Sequence, residues 1–280
     1  MKYQPPQAID IMLTSRCNMI CPFCFGPQLN KGDIDLSNAM ILIEELHKSG
    51  VKTIIFSGGE PSLHDKIHII IKAAKTYGFK TVLSTNGYIY SLRLRDEILK
   101  NLDWISIPID GFDYKSMHNM RKLKLVEYKN IINLLKYIKN TFPTLKIKIG
   151  TVVSKININS LKEIVASSPV IPNKWKLYQI SLGPRNADYF HQVQVEDSDF
   201  KIAAHSLCEA FQDIEFTFHT ISERQGKHII CDPDGSAIVI DSQNEKIIGN
   251  FFNNYESTMS SANKHANFEL LHNNIENTYS

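Results

Sequence analysis

Two hydrophobic periods alternate along the first two thirds of the chain. Short runs rich in Ile and Val fall at Ala8 to Thr14, Thr53 to Ser57, Lys80 to Thr85, Trp104 to Asp110, Lys146 to Val153 and Trp175 to Leu182. Their nearly continuous apolar character is that of strands buried on both faces of a parallel sheet. Between them, apolar residues recur at helical spacing over Leu36 to Lys48, His64 to Tyr77, Leu92 to Leu102, Leu125 to Phe142 and Ser160 to Ser167. Asp35 and Ser37 offer caps for the first helix and Gly50 its stop, while Gly78 and Pro143 end two others.

Strand and helix in this alternation predict right-handed parallel βα units, six of them between residue 8 and about 182. The expected fold class is therefore α/β: a partial (β/α)6 parallel barrel, an incomplete TIM-like core, over 1–185. A small α+β extension over 186–280 would close the barrel. In that extension Asp197 to Phe211 reads as a helix. Glu215 to His219, His228 to Cys231 and Ser236 to Ile240 read as strands around an Asp232-Pro-Asp-Gly235 turn. The last 30 or so residues, rich in Asn and Ser, are expected to pack loosely. In parallel α/β folds ligands bind at the carboxyl ends of the strands, so the chemistry is sought in the loops that follow them.

Composition narrows the partners. With 280 residues, 43% hydrophobic, and 31 Lys+Arg against 29 Asp+Glu, the net charge is +2. That balance gives no broad basic surface for duplex nucleic acid or an anionic membrane, so an anionic ligand must be met by a few local cations. The N-terminal MKYQPPQAIDIMLTS has no apolar core for a signal peptide, and no apolar run reaches the ~18 residues of a membrane span. Five cysteines, an odd number, argue against a fully paired oxidised set, so a reducing, cytoplasmic setting is expected.

Three of those cysteines, Cys17, Cys21 and Cys24, stand at C-x3-C-x2-C directly after the first predicted strand. Structural zinc takes four ligands, generally as two separated pairs, and neither Cys208 nor Cys231 has a neighbouring partner. Three thiolates on a 4Fe-4S cluster leave one iron without a protein ligand, open to substrate or cofactor. A structural zinc or iron-sulfur protein without catalysis is the alternative. Cys208 and Cys231 read as small apolar residues, and two thiols fall short of the ~4 ligands of a second cluster.

The spacing resembles the radical S-adenosylmethionine superfamily. Phe56-Ser57-Gly58-Gly59-Glu60-Pro61, after the second predicted strand, resembles that family's Gly-Gly-Glu-Pro motif, with Glu60 placed 60 − 24 = 36 residues past Cys24. The resemblance implies one 4Fe-4S cluster on Cys17, Cys21 and Cys24 as metal and catalytic centre. It also implies S-adenosylmethionine on the open iron, cleaved to methionine and a 5′-deoxyadenosyl radical. It implies Phe23 against the adenine, the segment Ser57, Gly58, Gly59, Glu60 and Pro61 at the cofactor's amino group, and Thr85 and Asn86 near its ribose. Paired glycines allow close backbone approach, and a carboxylate such as Glu60 accepts from an ammonium. Ser106 and Asp110 share a face at the end of the fourth strand, and His118-Asn-Met-Arg121 resembles a later element whose arginine would pair with the cofactor carboxylate. The plainer readings are strand-end capping for Thr85 and Ser106 and a solvated charge for Arg121.

Closer resemblance is to viperin and its prokaryotic relatives, which dehydrate nucleoside triphosphates. It rests on Cys21-Pro-Phe-Cys-Phe25, the Gly-Gly-Glu-Pro segment, Lys146-Ile-Lys-Ile-Gly-Thr-Val-Val153 and Lys174-Trp-Lys-Leu-Tyr-Gln179. Lys146 and Lys148 point to one face of their strand; if that face looks inward, Lys148 with Lys174 or Lys176 would neutralise phosphates. The alternative is a lysine-edged strand in water. Gly150 stands where viperins have Asn, and Thr53 where they have Lys. The resemblance implies a small-molecule substrate, a nucleoside triphosphate among the candidates, and a flavodoxin- or ferredoxin-type electron donor. A peptide or another metabolite is the rival substrate.

Overall fold

A computed structural model describes residues 5–24, 31–183, 186–224, 229–241 and 244–265. Four βα units and a fifth strand open the described residues: β1 (Ala8–Thr14), α1 (Leu36–Ser49), β2 (Thr53–Gly58), α2 (Ile67–Thr76), β3 (Lys80–Ser84), α3 (Arg95–Leu99), β4 (Trp104–Pro108), α4 (Tyr114–Arg121), α5 (Leu125–Thr141) and β5 (Lys146–Val153). There follow α6 (Leu161–Ala166), β6 (Lys174–Gln179), α7 (Ala187–Val193), α8 (Asp197–Ala210), β7 (Phe216–His219), β8 (Ile229–Cys231), β9 (Ser236–Asp241), β10 (Asn244–Asn250) and α9 (Tyr255–His265).

These strands form one sheet in the order β10-β9-β8-β1-β2-β3-β4-β5-β6-β7. Every pairing from β8 through β1 to β7 is parallel, and β9 and β10 add an antiparallel hairpin at the β8 edge. The parallel run thus has eight strands, two more than the six βα repeats predicted. The extra two come from the C-terminal segment, whose β7 and β8 join opposite edges of the core sheet. Local pattern marks a strand but not the edge it will pair with.

Local chemistry explains where α1 begins and ends. Asp35 accepts from the Ser37 N–H at 2.8 Å and Gly50 closes the helix at φ 87°, as its caps predicted. Elsewhere the boundaries moved. The helix expected over Leu92 to Leu102 is a 3-10 turn at Tyr88–Ser91 followed by the short α3, and His64 precedes its helix as a buried side chain bonded to the Ile34 carbonyl at 2.9 Å. Strands three, four and six end one, two and three residues early, because their last predicted residues turn into the loops that carry the site. The expectation of loose packing after residue 250 fails for α9. Tyr255, Met259 and Ala262 form a buried stripe, and the Tyr255 hydroxyl meets Ser49 Oγ at 2.5 Å. Spaced four and three apart among Asn and Ser, those residues were hidden by composition. Residues 266–280 lie outside the described residues.

Alternation along the strands sorts the sheet into two faces. Ile9, Ile11, Leu13, Ile54 and Phe56 pack into the main core with the helices. The opposite face is the lumen, and registry carries it strand to strand. Ser84 pairs with Ser106, Ser106 with Lys148, and Lys148 with Lys174, while Gly150 pairs with Lys176 and Lys176 with Thr217. At the amino-terminal end Trp104 closes this lumen, with Lys146 Nζ 5.2 Å and Lys174 Nζ 6.0 Å from its ring. The cysteine loop lies at the opposite end, where the strands finish.

Candidate active site

The cysteine loop is pinned by backbone chemistry before any side chain is considered. Gly59 N–H donates to the Thr14 carbonyl and Glu60 N–H to the Arg16 carbonyl, both at 2.8 Å. A Cβ on Gly59 would lie 2.2 Å from the Arg16 oxygen, and one on Gly58, at φ 135°, 2.4 Å from the Thr14 oxygen. The paired glycines let the β2 turn lie against the chain's own cysteine loop. Asp33 adds a second clamp, taking Thr14 Oγ1 at 2.6 Å and the Arg16 guanidinium, whose Nη2 also reaches the Leu63 carbonyl at 2.8 Å.

Glu60 is fully buried and is the hub between loops. One oxygen accepts from Ser62 N–H at 3.1 Å, Ser62 Oγ at 2.5 Å and Thr85 Oγ1 at 2.7 Å, and the other accepts Asn86 N–H at 2.7 Å. Burial raises its pKa and those donors oppose the rise. The Thr85 hydroxyl, which also receives the Gly87 N–H at 3.2 Å, serves this brace. Pro61, buried, opens the 3-10 turn that Glu60 caps. Asn86 is thereby presented to the cysteines: Nδ2 donates to Asn18 Oδ1 at 2.8 Å and stands 3.8 Å from Cys17 Sγ.

Across the loop, Arg121 is neither exposed nor solvated. Its Nε bonds the fully buried Asp110, its Nη1 lies 3.9 Å from Cys21 Sγ, and its guanidinium carbon stands 5.2 Å over the Phe23 ring. Val152 N–H at 2.7 Å holds the other Asp110 oxygen. Phe23 packs with Met120, Ile180, Phe190 and Val193, and its carbonyl accepts from Asn186 Nδ2 at 3.1 Å, so α7 is latched onto the cysteine loop.

Below the cysteines the lumen is polar. Ser57 donates to Asp10, which burial raises to about 6, with Ser57 and Lys148 opposing. Ser106 is half-buried beside Lys148. Lys148, Lys174 and Lys176 are 2%, 2% and 5% exposed, so none is a water-facing edge residue. Lys174 pairs with Glu215 at 3.0 Å, and Lys176 Nζ lies 5.2 Å from the Tyr178 ring. Burial, then repulsion from Lys176, takes the Lys148 pKa well below its ordinary value. Asp10, Asn157 and Asn186 were not singled out by sequence; an aspartate inside an apolar strand was the one available signal. Cys231 is buried in the core and Cys208 half-exposed on α8, away from the loop.

The thiols fit a cluster better than one ion. A structural zinc generally takes four ligands, whereas this loop offers three free thiols, the number that a 4Fe-4S cluster with one open iron takes. Separate irons of a cubane take one thiolate each. N–H donors from Met19 at 3.4 Å, Asn86 and Arg121 already face Cys17 and Cys21, as outer partners of a thiolate-bound centre do.

A parallel α/β barrel with three thiols on the loop after its first strand defines the class, and comparison with known proteins agrees. Residues 11–167 match the Radical SAM superfamily model, so the chain belongs to that superfamily. It is a radical SAM enzyme whose cofactors are a 4Fe-4S cluster and S-adenosylmethionine. It is 26% identical over 249 residues to an S-adenosylmethionine-dependent nucleotide dehydratase of Lacinutrix mariniflava, covering 81% of this chain and 49% of that protein. It is 25% identical over 251 residues to one of Selenomonas ruminantium, covering 86% and 89%. The chain thus spans about half the length of the first relative and most of the second. SuiB of Streptococcus suis bound to S-adenosylmethionine superposes with a TM-score of 0.71 over 92% of this chain and 66% of that one at 14% identity, a likeness of fold.

Proposed function

We propose that this enzyme acts on a nucleotide, held by its phosphates on Lys148, Lys174 and Lys176, in a dehydration like that named for the relatives. The supporting observation is the lysine set itself. Three lysine side chains share the buried lumen face, where Asp10 acts on Lys148 and the exposed Glu215 pairs with Lys174, and Lys176 and Lys174 repel the Lys148 charge. Like charges in low dielectric are costly, and a phosphate relieves that cost while restoring the Lys148 proton.

When bound, the cluster and S-adenosylmethionine would supply one-electron reductive cleavage and radical chemistry able to take hydrogen from the substrate. The chain's residues place the partners. Cys17, Cys21 and Cys24 hold the cluster, and Glu60 fixes the loop that presents Asn86. Asp110 fixes Arg121, and Phe23 with α7 shields the mouth from water. Ser57 and Ser106 line the lumen between the cysteines and the lysines, where a sugar would lie. An electron donor of the flavodoxin or ferredoxin type and a reducing cytoplasm, suited to five free thiols, complete the reading; no helix among the described residues is long and apolar enough to cross a membrane.

The test is anaerobic reconstitution followed by each of the four common nucleoside triphosphates, scoring release of 5′-deoxyadenosine. One triphosphate should stimulate release in the wild type, and Lys148→Met and Lys176→Met should lose that stimulation while keeping the basal cleavage. Equal background with all four removes the nucleotide reading.

A further inference from the structure

We infer that the Asp110–Arg121 pair sets the reduction potential of the cluster, with Arg121 acting on it through Cys21. This rests on the reading that Cys17, Cys21 and Cys24 carry a 4Fe-4S cluster, and it gives Arg121 a role besides any contact with the cofactor. Three observations carry it. Arg121 Nη1 lies 3.9 Å from Cys21 Sγ, so the guanidinium faces a ligating sulfur directly. The guanidinium is held there by the Asp110 bond on Nε and the Phe23 ring beneath it, with its side chain 12% exposed. Asp110 is itself fixed by Val152 N–H at 2.7 Å and, through its own carbonyl, by Asn157 Nδ2 at 3.1 Å. The charge beside Cys21 is therefore rigid and shielded from water.

Reduction adds one electron to the cluster and no proton need follow, so a neighbouring positive charge favours the reduced form and a negative charge opposes it. Hydrogen bonds to the ligating sulfurs act in the same direction as the positive charge. Arg121 supplies both charge and bond, while Asp110, farther from the sulfur, attenuates them. The two partners therefore have opposite effects on one equilibrium. Asn86, a neutral donor 3.8 Å from Cys17 Sγ, contributes a bond without a charge.

The measurement is an anaerobic titration with dithionite and mediators, without S-adenosylmethionine, followed by visible absorbance and by the paramagnetic signal of the reduced cluster. Arg121→Gln should lower the equilibrium constant for reduction at least tenfold, which is 59 mV for a one-electron couple. Asp110→Asn should shift it the other way, and the double variant should return towards wild type, since the charge near Cys21 is again zero. Arg121→Lys, which keeps the charge, should lie between wild type and Arg121→Gln and guards against a fold-breaking effect of losing a buried ion. Shifts of the same sign in Arg121→Gln and Asp110→Asn, or no shift in either with a full complement of iron, overturn the inference. Failure of the wild type to take up iron would overturn the cluster reading instead.

Discussion

Replacing Gly59 by Ala should unseat the cysteine loop, and the size of the effect follows from a single contact. The added Cβ would lie 2.2 Å from the Arg16 carbonyl oxygen and 2.6 Å from its carbon, both backbone atoms that no rotamer change can move. The loop and the β2 turn must part by about 1 Å to restore ordinary contact, which breaks the Gly59 and Glu60 N–H bonds to Thr14 and Arg16. Two hydrogen bonds at about 1 kcal/mol each and about 1–3 kcal/mol of overpacking give about 3–5 kcal/mol. Gly78→Ala is the control. Its Cβ meets nothing within 4 Å, so only the left-handed backbone at φ 84° opposes it, a cost of about 1–2 kcal/mol. Thermal unfolding of the apoprotein should show Gly59→Ala melting well below Gly78→Ala, at about 2–4 °C per kcal/mol. Iron uptake on reconstitution should fall with it, because Glu60 and Asn86 no longer align with Cys17. If Gly59→Ala melts with the control and takes full iron, the close approach does not hold the site together.

Two further outcomes are expected. Asp10, raised by burial to about 6 in the fold, holds its proton more tightly than an ordinary aspartate does. Stability contributed by the protonated form is then present at low pH and lost as pH climbs from about 4 to about 6, by about 3 kcal/mol. Asp10→Asn should therefore gain on the wild type across that window in denaturant titrations, and a constant difference from pH 4 to 7 would refute the placement of Asp10 in the lumen. Cys208→Ala should keep the wild-type iron content and cluster absorbance, whereas alanine at Cys17, Cys21 or Cys24 should abolish them; loss of the cluster in Cys208→Ala would mean that the ligand set is wrong.

The sequence by itself determined the repeating part of this protein. Strand and helix periods placed β1 to β6 because each is written locally, in side chains two, three or four residues apart. The cysteine spacing and the Gly-Gly-Glu-Pro segment marked the loops after β1 and β2 for the same reason: ligands within one loop are close in space whatever the rest of the chain does. What only the tertiary structure decided is what those residues touch. Glu60 reads in sequence as a carboxylate awaiting an ammonium, and the fold adds that its oxygens also accept from Ser62, Thr85 and Asn86. Arg121 reads as a surface charge or a cofactor contact, and the fold buries it between Asp110, Phe23 and Cys21, residues 11, 98 and 100 positions away. The inward turn of Lys148, Lys174 and Lys176, the parallel docking of β7 and β8 on opposite edges and the packing of α9 belong to the same group. Each depends on which face of a strand or helix meets a neighbour far along the chain, and periodicity gives the face without naming the neighbour.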